Sequence, residues 1–262
     1  MRYDGLIVQV LARSIAFSIL FFLALVAYCI VAIPTLAMPR HGILKVARWW
    51  SQTNLWLLEK VCGLRCQFRG VEKIPQGPLL VASKHQSAWE TFALVTQFPD
   101  PAFIAKRELF WLPFFGWYLW RAEMISVDRS AGAQALRTLN VDARAALAEG
   151  RQILIFPEGT RRPAGAEPRY KYGVAHLYEE TQAVCLPVAL NSGLYWPRRS
   201  LLRMPGTIIV EFLDPIPPGL DRETFLFKLR DSIEDATARL VAQGRRELKA
   251  KGVPDVTMPA VR

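Results

Sequence analysis

The stretch from Ser14 to Met38, SIAFSILFFLALVAYCIVAIPTLAM, contains no charged residue. As a helix it extends about 37 Å at 1.5 Å per residue, more than a bilayer core of roughly 30 Å. A secretory signal has a shorter apolar region and a small-x-small cleavage site. A buried core helix is seldom so long or so uniformly apolar. The run therefore predicts an N-terminal helix inserted in a membrane, with Pro34 bending it near its end. No acidic residue lies between Asp4 and Glu59, while Arg13, Arg40, Lys45 and Arg48 are present and Trp49, Trp50 and Trp56 follow the run. Cations mixed with tryptophan suit the headgroup layer. Residues 43–58 thus read as a second helix at or in the interface. The positive charge after the run favours the cytoplasmic face of the inner or plasma membrane. The pattern fits both a crossing helix and a hairpin.

The rest of the chain alternates short apolar runs with amphipathic ones. PLLVAS, AFIA, EMISVD, QILIFP, AVCLPVAL and TIIVEFLDPI read as strands. Helices are expected from about 87 to 98, over AGAQALRTLNVDARAALAEG with Gly150 as its stop, over KYGVAHLYEETQ, and over 221–250. This alternation predicts an α/β fold, a layered mixed or largely parallel sheet flanked by helices. The division expected is 1–62 as the membrane-attached helical segment, 63–250 as the catalytic domain and 251–262 as a loose tail. The aromatic stretch LFWLPFFGWYLW at 109–120 is broken by Pro113 and Gly116. It fits a core segment and a membrane-facing or acyl-lining loop equally well.

Partners follow from charge. The chain carries 33 Lys and Arg against 23 Asp and Glu, a net charge of +10, which calls for an anionic partner such as a membrane surface, a phosphorylated substrate or nucleic acid. Cys29, Cys62, Cys66 and Cys185 form no C-x-x-C pair, so free thiols are expected and no metal site.

In open α/β sheets, ligands collect at the carboxyl ends of strands. Three polar clusters sit there: SKHQS, VDRS and PEGTRRP. Within one helix His85 and Glu90 would lie about 140° apart. They meet only if His85 is in the turn and Glu90 in the first helical turn. Ser87 and Glu90 also have the spacing of a capping box, with Ser87 at the N-cap and Glu90 at N3. A catalytic pair and a plain cap both satisfy this spacing. Gly159 allows close backbone approach, Thr160 offers a hydroxyl, and Arg161 offers a fork for phosphate. Lys106 and Arg129 add cations at two further strand ends.

In order and spacing, KHQSAWE, ISVDR, FPEGTRR and CLPVAL resemble the four motifs of the glycerolipid acyltransferase family, which includes the lysophosphatidate (1-acylglycerol-3-phosphate) acyltransferases. The resemblance covers about residues 65–215. Three positions depart from the pattern: Lys84 stands where asparagine is usual, Glu90 where aspartate is, and Ser126 where an aromatic is common. The resemblance implies transfer of an acyl chain from a thioester to the sn-2 hydroxyl of 1-acylglycerol-3-phosphate. The donor would be acyl-CoA or acyl carrier protein, acting as substrate, with no cofactor and no metal. It implies His85 as general base and Glu90 as its orienting carboxylate. Lys106, Arg129, Glu158, Gly159, Thr160 and Arg161 would form the acceptor site, with Glu158 orienting the arginines. Membrane lipids are the expected surroundings, and nucleic acid is not an expected partner. Two alternatives are the same chemistry on glycerol-3-phosphate or a lyso-aminolipid, and a non-enzymatic tethered binder of anionic lipid or nucleic acid.

Overall fold

The structure, a computed structural model, describes residues 2–128 and 132–253. Its elements run in the order α1 (Arg2–Ala32), α2 (Arg40–Leu57), β1 (Leu64–Arg69), β2 (Leu79–Ser83), α3 (Trp89–Ala93), β3 (Pro101–Lys106), α4 (Phe115–Arg121), β4 (Ile125–Val127), α5 (Gly132–Ala148), β5 (Gln152–Ile155), α6 (Gly173–Thr181), β6 (Cys185–Leu190), α7 (Ser192–Tyr195), β7 (Gly206–Phe212) and α8 (Arg222–Ala250). Among the described residues seven strands form one sheet in the order β1-β7-β6-β2-β5-β3-β4. Only the β6–β7 pairing is antiparallel. This is the layered, mostly parallel mixed sheet that the alternation predicts. The strand β1 has no counterpart among the strands expected from sequence; it lies at the sheet edge, paired with β7.

Both faces of the sheet are covered, as parallel strands require. Leu79 and Val81 of β2 point into a core shared with α3 and α7, while Leu80 and Ala82 point into one shared with α5, α6 and α8. The alternation has the period of two that a pleated strand imposes.

The N-terminal helices form a hairpin folded onto this domain. After α1 a 3-10 turn at Ile33–Ala37 carries Pro34 near its start. The proline therefore ends the helix rather than bending it, because its ring blocks the backbone of the preceding turn. In the first half of α1 the Arg203 amide donates to Ser14 Oγ at 2.8 Å, and Phe17 packs edge-on against Trp196. In its second half Tyr28 and Thr53 share a 2.8 Å hydrogen bond, and Tyr118 donates to the Cys29 carbonyl. One face of α1 thus lies along the domain and α2 through most of its length. The opposite face exposes Ile15, Ile19, Phe22, Leu23, Val26 and Ile30.

Two cations assigned by sequence to lipid headgroups have protein partners instead. Arg40 donates to Asp100 at 2.9 Å and pairs with Glu123 and Glu149. Arg48 donates to the carbonyls of Phe98 and Pro99. Forked guanidinium groups on the returning helix are well shaped to clamp it to acidic and carbonyl oxygens. Lys45 instead lies over the Trp49 ring.

Because Phe17, Leu58 and Cys62 belong to the same core as the sheet, the hairpin is part of the folded unit. A chain shortened to begin at Gly63 is expected to elute as aggregate in size-exclusion chromatography, detergent or not. Elution as a stable monomer would contradict this packing.

Candidate active site

The strands β6, β2 and β5 lie side by side and parallel, so their carboxyl ends open on one edge. Each delivers one piece of the site: His85 follows β2, Glu158 follows β5 and Ser192 follows β6. Here sheet topology does what sequence spacing cannot, since it brings residues more than a hundred positions apart together.

His85 and Glu90 meet. His85 Nδ1 lies 3.0 Å from Glu90 Oε1. That same oxygen accepts the backbone N–H groups of Gln86 and Ser87, each at 2.7 Å, and Ser192 Oγ donates to Oε2 at 2.8 Å. Four donors thus converge on an acceptor-only carboxylate whose side chain is 0% exposed. The arrangement fixes the tautomer: Nδ1 carries the proton, and any base chemistry falls to Nε2. The His85 side chain is 13% exposed and stacks on Phe156 with ring centroids 4.0 Å apart.

Glu90 makes the contacts that each reading of its spacing calls for. It reaches back to the Ser87 N–H as a capping-box glutamate does, and it holds the imidazole. The cap is shifted, however. The helix α3 starts at Trp89, and Ser87 Oγ accepts from the Trp89 N–H at 3.2 Å. The span expected as a helix from 87 to 98 is shorter and ends in a 3-10 turn at Leu94–Thr96.

The FPEGTRR loop touches the His85 loop directly, with the Arg162 N–H donating to the His85 carbonyl at 2.8 Å. Gly159 has φ +66°, the left-handed conformation that favours glycine. Among the described residues Glu158 is held by Lys84 and the His85 backbone rather than by a guanidinium. Its side chain is 0% exposed, accepting from Lys84 Nζ at 3.0 Å and from the His85 N–H at 3.1 Å. Burial pushes its carboxyl above the ordinary carboxylate range, while Lys84 and the His85 amide pull it back. Thr160 is exposed. The Arg161 guanidinium has no carboxylate partner among the described residues, and its carbonyl accepts from Arg198. Lys106 lies in the wall of the same cavity as His85, and its ammonium pairs with Glu108 at 2.6 Å. Arg129 lies outside the described residues.

That cavity has a volume of about 420 Å³ and is mostly apolar. Its wall runs from His85, Phe156 and Phe103 past Val46 and Trp50 of α2 to Leu25 and Tyr28 of α1. The 109–120 stretch divides between the cavity wall and the surface. Leu109, Phe115, Tyr118 and Leu119 line the cavity, whereas Trp111, Phe114, Trp117 and Trp120 are exposed.

No sequence signal singles out Ser192, Phe156 or Gln86. Gln86 Oε1 accepts the Gly193 N–H at 3.0 Å, and a Cβ on Gly193 would come within 2.9 Å of Gln86 Cβ. A neutral turn residue and a strand-end phenylalanine carry no signal that marks them in advance.

The site therefore combines a histidine held by a buried carboxylate with an apolar cavity, at the carboxyl edge of a mixed sheet. Residues 65–191 match the family described as Acyltransferase. Over 165 residues it is 41% identical to the 1-acyl-sn-glycerol-3-phosphate acyltransferase of Pseudomonas aeruginosa, spanning 63% of this chain and 64% of that protein. It is 28% identical over 193 residues to 1-acyl-sn-glycerol-3-phosphate acyltransferase alpha of Homo sapiens, covering 72% of this chain and 67% of the human one. Among solved structures it resembles the 1-acyl-sn-glycerophosphate (LPA) acyltransferase PlsC of Thermotoga maritima. The TM-score is 0.71 at 25% identity, covering 91% of this chain and 97% of that one.

Proposed function

We propose that this chain moves an acyl group from an acyl thioester to the free sn-2 hydroxyl of 1-acylglycerol-3-phosphate, giving phosphatidic acid. The observation that carries this reading is the His85–Glu90 pair set in the wall of the apolar cavity. His85 Nε2 takes the hydroxyl proton as the acceptor oxygen attacks the thioester carbonyl. Glu90 stabilises the imidazolium that forms. Collapse of the tetrahedral intermediate breaks the C–S bond, and the leaving thiolate recovers the proton. The acceptor phosphate is held by Arg161, Thr160 and the Gly159 backbone, with Lys106 and Arg129 adding positive charge. Support for an acyl chain in the cavity comes from its lining, which is apolar from His85 to α1.

The transfer is direct. Ser87 Oγ is buried and faces the Trp89 amide. Burial pushes the Cys62 thiol up to about 11 and the Cys185 thiol higher still, so neither is a ready nucleophile. The exposed face of α1 and the tryptophans at 111, 117 and 120 embed in one leaflet on the cytoplasmic side, which suits indole at the interface. Acyl-CoA and acyl carrier protein both supply the required thioester.

The test is purified full-length protein in mixed micelles, with each donor and a panel of lysolipids plus glycerol-3-phosphate, read by mass spectrometry of the products. Phosphatidic acid from lysophosphatidate is the expected product, and its absence alongside acylation of another acceptor overturns the assignment. Ala47 lines the cavity, so Ala47→Trp is expected to slow long-chain donors at least tenfold while sparing short ones. Equal loss for all chain lengths would remove the cavity from the acyl path.

A further inference from the structure

Beneath the His85 loop lies an ionic cluster that the mechanism above does not use. Lys84 Nζ donates to Glu158 Oε1 at 3.0 Å and to Glu234 Oε1 at 2.6 Å. The lysine side chain is 3% exposed, Glu158 0% and Glu234 23%. Glu234 comes from the middle of α8, 150 residues along the chain. Tyr170 donates its hydroxyl to Glu234 Oε1 at 2.8 Å, and its ring lies beside the Lys84 ammonium. The other oxygen of Glu158, Oε2, accepts the backbone N–H of His85. An unbroken chain of bonds therefore runs from α8 through Glu234, Lys84 and Glu158 to the backbone of the histidine.

Such a cluster is sensitive to its single ammonium. Two carboxylates share one lysine out of water, where an unpaired charge is expensive. Without the lysine the two acids face each other with only Tyr170 and the His85 amide to satisfy them. Glu158 would then turn from the His85 N–H or bind a proton. Either response loosens the loop that aims the imidazole. In the cluster Lys84 spans two elements that no backbone hydrogen bond joins at this point, and its four-carbon stem gives it that reach.

We propose that Lys84 is a positioning residue: by bridging Glu158 and Glu234 it fixes the His85 backbone to α8 and so sets the aim of the base. The proposal rests on the acyltransferase reading for its kinetic arm only. The variants are Lys84→Met, Glu234→Gln and the two combined, in the full-length protein. Lys84→Met is expected to lower kcat about 100-fold, the size of loss that a small misplacement of a catalytic group produces, with KM for the acceptor changed less than threefold. Glu234→Gln leaves Lys84 and Glu158 as a one-to-one pair and is expected to cost less than fivefold. The combined variant removes one of the two facing carboxylates, leaving Glu158 opposite a neutral amide, and is expected to recover about tenfold over Lys84→Met alone. A purely structural role would lower the melting temperature and active fraction without this kcat-against-KM split and without recovery. The second arm needs no substrate. Hydrogen exchange at the His85 amide is expected to speed up at least tenfold in Lys84→Met and to stay within threefold of the parent in Glu234→Gln. Unchanged exchange in Lys84→Met overturns the proposal whatever acceptor the protein uses. So do independent, multiplicative losses in the combined variant. Failure of lysophosphatidate as acceptor, with His85 exchange responding as stated, would instead overturn the functional reading and leave the positioning role standing.

Discussion

Replacing His85 with alanine is expected to reduce acyl transfer by about 10³-fold or more, within or above the range in which positioned general bases act, while the protein stays folded. The fold should survive because His85 is not a core residue. Its side chain is 13% exposed and its main packing partner is the Phe156 ring. Its loss also leaves Glu90 with three remaining donors, the N–H groups of Gln86 and Ser87 and the Ser192 hydroxyl. The buried carboxylate is therefore not orphaned, and orphaning is the event that makes removal of one buried partner so costly. A loss of about 1 kcal/mol of packing would move the melting temperature of a domain this size by only about 2–4 °C. Thermal unfolding, acceptor binding in the absence of donor, and initial rate should be measured on one preparation. Melting and binding should stay near those of the parent while the rate collapses. A variant that keeps a near-parental rate would remove His85 from the chemistry.

The chain announces its layers and its His85–Glu90 pair but not the scaffold that holds them. Strands such as QILI and CLPVAL are buried on both faces and read as continuous apolar runs. The helix ending at Gly150 carries its own period and its own stop. His85 and Glu90 are legible because they are five residues apart and local geometry alone decides whether they meet. Ser192, Phe156 and Glu234 are not, because their proximity to His85 is made by the sheet order β6-β2-β5 and by α8 lying across it. Lys84 stood out only as a departure from a familiar motif, and its role appears once Glu234 is beside it. The basic N-terminus shows a different limit. Charge counting treats Arg40 and Lys45 alike, yet Arg40 faces three carboxylates of its own domain. Charge composition gives the sign of a partner and says nothing of whether that partner is lipid or protein.

Glu90→Gln is expected to cost about 10²–10⁴-fold in kcat with little effect on folding, and the geometry explains why the two separate. In the folded protein Oε1 accepts from the His85 ring and from two backbone N–H groups, while Oε2 accepts from the Ser192 hydroxyl. A glutamine oriented with its carbonyl oxygen in the Oε1 position keeps the three N–H bonds. Its amide nitrogen then faces Ser192, whose hydroxyl can rotate from donor to acceptor. The cap, the tautomer and the packing all survive. What disappears is the negative charge opposite the imidazolium as the acceptor proton arrives on Nε2. In a water-poor site that charge is worth several kcal/mol to the transition state and little to the ground state. The loss should therefore fall on kcat, with KM for donor and acceptor nearly unchanged. The size depends on how well glutamine keeps that orientation. Ser192→Ala combined with Glu90→Gln removes the rotating hydroxyl and so reports on it. If the single variant loses rate and melting temperature in proportion, Glu90 is only a helix cap. A large fall in kcat at an unchanged melting temperature is the result that makes it the partner of the base.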